Sequence, residues 1–117
     1  MARYLLDSDV LIWVLRGRQD TVALLDRLAV ESGETLACSA MSVLEIWAGA
    51  KPTEASDTAT FLDALEVIPV DRVVASRAAE LLRQYKRHRD PREWVDALIA
   101  ATALGHHFAL NAPKIEQ

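Results

Sequence analysis

Tyr4-Leu5-Leu6-Asp7-Ser8-Asp9-Val10-Leu11 decides how the rest of the chain is read. Tyr4-Leu5-Leu6 is short, apolar and ends at an acid, which suits a buried strand that leaves Asp7 at its carboxyl end. A helix signal follows at once. Ser8 or Asp9 can cap it, Val10, Leu11, Trp13, Val14 and Leu15 give its apolar face, and Gly17 is placed to end it.

The same alternation continues outward from this joint. Asp20 or Thr21 caps a second helix carrying Val22, Leu24, Leu25, Leu28 and Ala29, which stops near Gly33, and residues 35–39 read as another buried strand. Ser39 or Ser42 then caps a helix with Val43, Leu44, Ile46 and Trp47 on its apolar face. Residues 53–65 form a further helix with Phe61, Leu62 and Leu65 inward, and residues 66–70 a short strand with Pro69 near its end. Asp71 opens a long helix whose stripe is Val73, Val74, Ala78, Leu81, Leu82 and Tyr85, running out into Lys86-Arg87-His88-Arg89. Asp90-Pro91 breaks the chain, residues 93–104 form a nearly all-apolar helix carrying Asp96, and residues 107–110 read as the last strand. Strand and helix in alternation imply an α/β fold with a mainly parallel sheet and helices on both faces.

At 117 residues, 51% of them hydrophobic, the chain fits one domain over 1–117 with a single sizeable core. Cys38 is alone in an apolar run, so there is no disulfide framework, and a reducing, cytoplasmic setting with Cys38 as a small buried hydrophobe is expected. The apolar stretches fall short of the roughly 20 residues that cross a bilayer, so no membrane association is expected. A net charge of −4 argues against a surface that coats nucleic acid, but is compatible with a local basic strip beside an acidic pocket.

Three acids, Asp7, Glu45 and Asp96, are each embedded in an apolar stretch that reads as core-facing. An ionised carboxylate removed from water must be paired, shift its pKa or bind a metal. Converging on one point, three would make an all-oxygen pocket for Mg²⁺ or Mn²⁺. Asp7 ends a strand, Glu45 lies about two turns into the helix after the second strand, and Asp96 is near the start of the helix before the last one. All three therefore point to the carboxyl edge of the sheet, where open parallel sheets bind ligands. Asn111, just past the last strand, can join them as a neutral oxygen ligand. Taken singly, each acid also has a plain explanation: a helix cap for Asp7, a solvated helix residue for Glu45, a favourable first turn for Asp96.

Leu5-Leu6-Asp7-Ser8-Asp9-Val10-Leu11, residues 39–49 from Ser39 through Glu45 to Gly49, and residues 96–103 beginning at Asp96 together resemble the PIN-domain ribonucleases, specifically the VapC toxins of toxin–antitoxin pairs. The resemblance covers nearly the whole chain and rests on three motifs in order. It implies a three-layer α/β/α fold with a four- to five-stranded sheet, and a divalent-metal-dependent endoribonuclease inhibited by a VapB-type antitoxin and commonly paired as a homodimer. Asp7, Glu45 and Asp96 match the family's metal-binding acids. By the same match Ser8 and Ser42 orient carboxylates or water, and Asp9 stands where the family often has Asn, as an added ligand or a cap. The departure is near the end. The family commonly shows Thr-x-Asn or Thr-x-Asp followed by an acid or His, whereas here Asn111 matches but Ala109 takes the Thr position and Ala112 follows. One held metal is the expectation rather than two.

Substrate binding beside such a pocket needs positive charge. Arg83, Lys86, Arg87, Arg89 and Arg92 form the densest basic segment and are the expected RNA contacts, with Arg16 and Arg18 as another pair. Trp13, Trp47 and Trp94 are core residues by default and partner anchors otherwise. His88, His106 and His107 show no zinc-ligand spacing. Two rival readings remain. Asp7-Ser8-Asp9 after a strand is also similar to the nucleophile motif of haloacid-dehalogenase-like phosphatases, although Leu11 replaces the usual Thr or Val. A PIN-like module that has lost activity and only binds a partner is the other.

Overall fold

The computed structural model describes residues 3–33, 35–85, 90–106 and 109–111, with residues 85 and 109–111 described by backbone alone. Among these, four strands form one sheet: β1 (Tyr4–Leu6), β2 (Ala37–Ser39), β3 (Glu66–Ile68) and β4 (Ala109–Asn111). The order is β3-β2-β1-β4, and all three pairings are parallel. The helices are α1 (Ser8–Leu15), α2 (Gln19–Ser32), α3 (Ala40–Gly49), α4 (Ala55–Asp63), α5 (Arg72–Tyr85) and α6 (Pro91–Gly105).

Strand period explains the layers. Leu5 pairs with Ala37 and Leu6 with Cys38, so each rung presents its side chains to one face. Leu6 and Cys38 pack with Val10 and Leu11 of α1, Leu25 and Leu28 of α2, Ile46 of α3 and Leu62 of α4. Leu5 and Ala37 turn the other way, onto Ile68 and onto Ile99 and Ala103 of α6. All four strand residues are fully buried, which is why β1 and β2 read as unbroken apolar runs rather than alternating ones. Each fully buried leucine contributes about 1.5–3 kcal/mol relative to an exposed one. The second layer is thickened by α5, which packs on α6 through Val74, Ala78 and Ala101.

Several boundaries differ from the expected ones for local reasons. Asp7, not Ser8 or Asp9, caps α1: its Oδ1 accepts the Ser8 N–H at 2.9 Å. α2 starts at Gln19 behind Arg18, which makes no side-chain cap bond, while Asp20 accepts the Thr21 N–H within the first turn. Ser39 caps α3 through the Met41 N–H at 3.0 Å. The expected 53–65 helix splits into a 3-10 turn at Pro52–Glu54 and α4, the turn closed by the Lys51 N–H donating to Glu54 Oε1 at 2.8 Å. β3 stops before Pro69, whose nitrogen has no proton to give a neighbouring strand. α6 begins with Pro91 in its first turn and Asp90 as its cap; of the last strand, expected over 107–110, Ala109–Asn111 are described and residues 107 and 108 lie outside the described residues. Gly17 and Gly33 end α1 and α2 with φ of 78° and 65°, the left-handed region that glycine enters without strain. No helix among the described residues is long and apolar enough to cross a membrane.

Candidate active site

The order β3-β2-β1-β4 makes β1 the point where the chain reverses its progress across the sheet: β2 and β3 are added on one side, β4 on the other. In open parallel sheets the crevice opens beyond the carboxyl ends of strands flanking that point. Asp7 is the residue that follows β1, and Asn111, the last residue of β4, pairs in register with Leu6 beside it. α1 and α3 each begin at this edge because each follows its strand directly. α6 precedes β4 and so runs back against the strand direction, which brings its first turns to the same edge.

Asp7 is half-buried, with its Oδ1 engaged by the Ser8 N–H. Burial pushes its carboxyl above the ordinary value of 3.8; the Ser8 N–H pulls the other way, and the charges of Asp9, Asp96 and Glu45 push it up further. Asp7 is thus within electrostatic reach of three other acids, from α1, α3 and α6. This brings together the three acids predicted from sequence, with Asp9 as a fourth.

Glu45 is half-buried, and its Oε1 lies 2.5 Å from Ser8 Oγ. Ser8 Oγ in turn lies 2.8 Å from Ser42 Oγ. Both serines are buried, Ser42 completely. Asp96 corrects the expectation of a core-facing acid. It is exposed, and α6 is not buried all round: Trp94 and Leu104 are also exposed, while Ile99, Ala101, Thr102 and Ala103 are buried. By helical spacing Asp96 continues the stripe of Ile99 and Ala103 one turn toward the amino end, so the stripe that covers the sheet carries Asp96 to its carboxyl edge.

The donor set suits a hard divalent cation: the like charges gathered around Asp7 are relieved by a cation between them. As the side chains stand, no three acid, thiol or imidazole groups among the described residues form a closed ion cage. The residues therefore fit such an ion by chemistry and by charge, with the acids grouped around an opening rather than closed on a point.

Two depressions flank the acids. One, of about 190 Å³, is bounded by Ile12 of α1 and Arg16 just past its end, Glu45 and Ile46 of α3, and Glu54, Asp57 and Thr58 ahead of and within α4. The other, a groove of about 440 Å³ between α5 and α6, is lined by Leu81, Leu82, Ala97, Ala100 and Leu104, with Glu93 and Asp96 on its margin. The neighbourhood of Glu45 with Glu54, Asp57 and Thr58 was not legible in the sequence, because nothing in their spacing reports how the turn at Pro52 folds α4 back.

The expected basic contacts are described only in part. Arg83 is exposed, Arg92 is exposed and paired with Asp90 at 3.3 Å, and Lys86, Arg87 and Arg89 lie outside the described residues. Arg18 stacks on Trp13 at 5.1 Å and pairs with Asp20 at 2.9 Å, leaving Arg16 as the cation that borders the Glu45 depression. Trp47 and Trp94 are largely exposed rather than core residues. Cys38 is buried, as expected, and its thiol is pushed up to about 11 by burial.

A family model for the PIN domain matches residues 4–110, and the chain belongs to the PIN-domain family. Within it the chain is similar to the VapC group. Ribonuclease VapC10 of Mycobacterium tuberculosis is 38% identical over 100 residues, covering 85% of this chain and 73% of that protein. Ribonuclease VapC19 of the same organism is 31% identical over 100 residues, covering 86% and 79%. Among solved structures, a toxin–antitoxin complex from Klebsiella pneumoniae superposes with a TM-score of 0.73 at 28% identity, over 92% of this chain and 82% of that one. VapBC2 from Rickettsia felis, bound to a DNA fragment from their promoter, shares the fold with a TM-score of 0.74 at 23% identity, over 92% and 84%. The three-layer parallel fold and the PIN resemblance read from the sequence are therefore correct, and the phosphatase reading finds no support.

Proposed function

We propose that this protein is an endoribonuclease toxin that hydrolyses phosphodiester bonds in RNA with Mg²⁺ or Mn²⁺ and is held inactive by a VapB-type antitoxin. The observation that carries this reading is the convergence of Asp7, Glu45 and Asp96, from three separate elements, on the carboxyl edge of β1, where their charges act on one another. The similarity to ribonucleases of the VapC group and to a toxin–antitoxin complex supports the choice of substrate and partner.

Asp7, Glu45 and Asp96 hold the cation, with Asp9 at the margin and Asn111 as a neutral support beside Asp7. A bound divalent cation supplies Lewis-acid charge and water activated at neutral pH. The chain supplies placement. Asp7 is held by the cap it makes on α1, and Glu45 by its bond from Ser8. Without a cation, the four acids repel a phosphate backbone, so binding of substrate and of metal are coupled. Arg83, Lys86, Arg87, Arg89 and Arg92 are proposed to draw RNA to this acidic pocket, and the exposed Trp47, Trp94, Leu44 and Leu104 to be covered in a homodimer.

The test is cleavage of total RNA by purified protein. Cleavage should require Mg²⁺ or Mn²⁺, stop with EDTA, and disappear in Asp7→Asn. Cleavage that persists in the variant would refute the assignment of the site, and stoichiometric antitoxin binding without any cleavage would favour an inactive module. A concentration-independent monomer mass by light scattering would refute the dimer.

A further inference from the structure

Thr58 carries a hydroxyl to a buried position and leaves it without a partner. It is 2% exposed, one turn ahead of Leu62 on the face of α4 that packs inward, and among the described residues its Oγ1 makes no hydrogen bond. Thr102, equally buried on α6, shows the usual remedy by donating to Leu98 O at 2.7 Å. A buried hydroxyl left unbonded is costly. Thr58 borders the depression of about 190 Å³ beside Glu45, so a partner has a place to enter.

The rest of the wall describes that partner. Ile12 and Ile46 present hydrocarbon, Glu45, Glu54 and Asp57 present carboxylates, and Arg16 is the cation among the described residues of the lining. Two of the acids are already engaged: Glu45 Oε1 by Ser8, and Glu54 Oε1 by the Lys51 N–H at 2.8 Å. Asp57, exposed in the first turn of α4, keeps both oxygens out of any hydrogen bond among the described residues. A carboxylate with two open oxygens suits a group with two adjacent donors. A guanidinium side chain would satisfy the acids but set a like charge against Arg16. An occupant with a carbonyl oxygen beside its donors satisfies both. The volume falls below the ~300–1,000 Å³ of pockets for drug-sized ligands, so it suits one flat ring system rather than a whole nucleotide.

We propose that this depression is a base-recognition pocket that takes a guanine of single-stranded RNA next to the cleaved bond. Guanine presents two neighbouring donors, N1–H and the N2 amino group, with the O6 carbonyl beside them. Adenine and cytosine set a ring-nitrogen acceptor beside their amino group, and uracil holds one N–H between two carbonyls, so each would turn an acceptor toward Asp57. In the pocket Asp57 accepts from the donor pair, Arg16 donates to O6, and Thr58 Oγ1 bonds the base edge, as unstacked bases of single strands are read. Glu45 belongs to both the pocket and the acid site, so a base seated here brings the adjoining phosphodiester to the acids. The preference for guanine rests on the lining; its use on an RNA strand rests on the nuclease reading above.

The experiment titrates the metal-free full chain with guanosine, adenosine, cytidine and uridine by NMR, and maps cleavage of a randomised RNA pool in Mn²⁺. Nucleosides carry no phosphate, so the acids do not repel them. Wild type, Asp57→Asn, Thr58→Val, Arg16→Gln and, as a control on the same helix, Asp63→Asn are compared, with urea unfolding of each. Wild type should prefer guanosine and cut beside guanine. A bidentate pair to a base gives about 5- to 150-fold discrimination, and Asp57→Asn should lose a factor in that range. Arg16→Gln and Thr58→Val should lose smaller factors and Asp63→Asn none. Thr58→Val should also raise the urea midpoint, because it removes an unbonded buried hydroxyl; a hydroxyl that served the fold would lower it. Guanosine bound no better than the other nucleosides, a preference unchanged in Asp57→Asn, or a lowered midpoint in Thr58→Val would each overturn the pocket. Binding of ethylguanidinium but not guanosine would overturn it in favour of an arginine side chain of a protein partner. The nuclease reading fails separately: guanosine binding weakened by Asp57→Asn, with no RNA cut, keeps the pocket and removes the ribonuclease. Cleavage without base preference does the reverse.

Discussion

Asp7 and Glu45 occupy one side of the candidate site and Asp96 the other, and the two sides are held by different means. On the first side the acids are half-buried, and their oxygens are fixed by short bonds from Ser8 that span α1 and α3. On the second, Asp96 is exposed on α6, and its place is set by how that helix packs: Ile99 and Ala103 against the sheet, Ala101 with Val74 and Ala78 of α5. One half of the candidate site is positioned by polar bonds to the carboxylates themselves, the other by an apolar helix face one turn away. A cation between them would join the two, and their sensitivity to mutation should differ accordingly.

The largest effects separate function from stability. Asp7→Asn should reduce RNA cleavage by more than about a hundredfold, beyond the range for partners that only orient a ligand, and Asp96→Asn by a similar factor. Their stabilities should diverge. Because burial and neighbouring charge raise the folded Asp7 carboxyl above 3.8, its protonated form is the favoured one in the fold; stability is full below about that pH and falls as pH rises through the raised value. Metal-free Asp7→Asn should therefore unfold at a higher temperature than wild type at pH 7 and lose that advantage near pH 3, since asparagine keeps the cap on α1. The exposed Asp96→Asn should leave the unfolding temperature nearly unchanged. Equal shifts in both would erase the distinction between the two sides.

The next effects probe the packing beneath each side. Leu6→Ala, in the fully buried layer under α1 and α3, is expected to lower stability by about 2–5 kcal/mol in urea unfolding. Val74→Ala, in the α5–α6 contact that positions Asp96, removes two methyl groups and should lower it by a smaller amount, about 1–2 kcal/mol. If the packing account is right, this variant should also weaken cleavage, through Asp96. Cys38, on the same face as Leu6, adds a pH test. Its thiol rises from 9.0 to about 11 in the fold, so the protonated form is favoured and stability is lost as pH climbs from 9 to 11. Two pKa units correspond to about 2–3 kcal/mol, a loss that Cys38→Ala should not show. The smallest effect concerns the exposed cations. Arg83→Ala and Arg92→Ala should each weaken RNA binding only slightly and flatten its salt dependence, because Arg92 already pairs with Asp90.

Much of this was readable along the chain. Tyr4-Leu5-Leu6 followed by Asp7 announced the central strand because both faces of β1 are covered, so its residues had to be apolar without alternation. Gly17 and Gly33 marked helix ends because their positive φ excludes most other residues at little local ambiguity. The caps were harder. Asp7, Ser8 and Asp9 are all capable donors' partners by type, and only the turn geometry selects Asp7. Asp96 was found for a reason that proved incomplete: the apolar run around it suggested burial on all sides, whereas α6 keeps Trp94 and Leu104 at the surface beside it.

The sequence by itself determined the alternation of elements and the parallel class of the sheet, and it singled out the candidate acids, because these depend on periodicity, turn residues and charge placed in apolar surroundings. The tertiary structure alone decided that β4 inserts beside β1, that Asp96 stands exposed on α6, and that Ser8 reaches across to Glu45 and Ser42. Those facts join residues from 34 to 105 positions apart, and local propensity carries no information at such separations; strand order and the packing of both sheet faces bring them together.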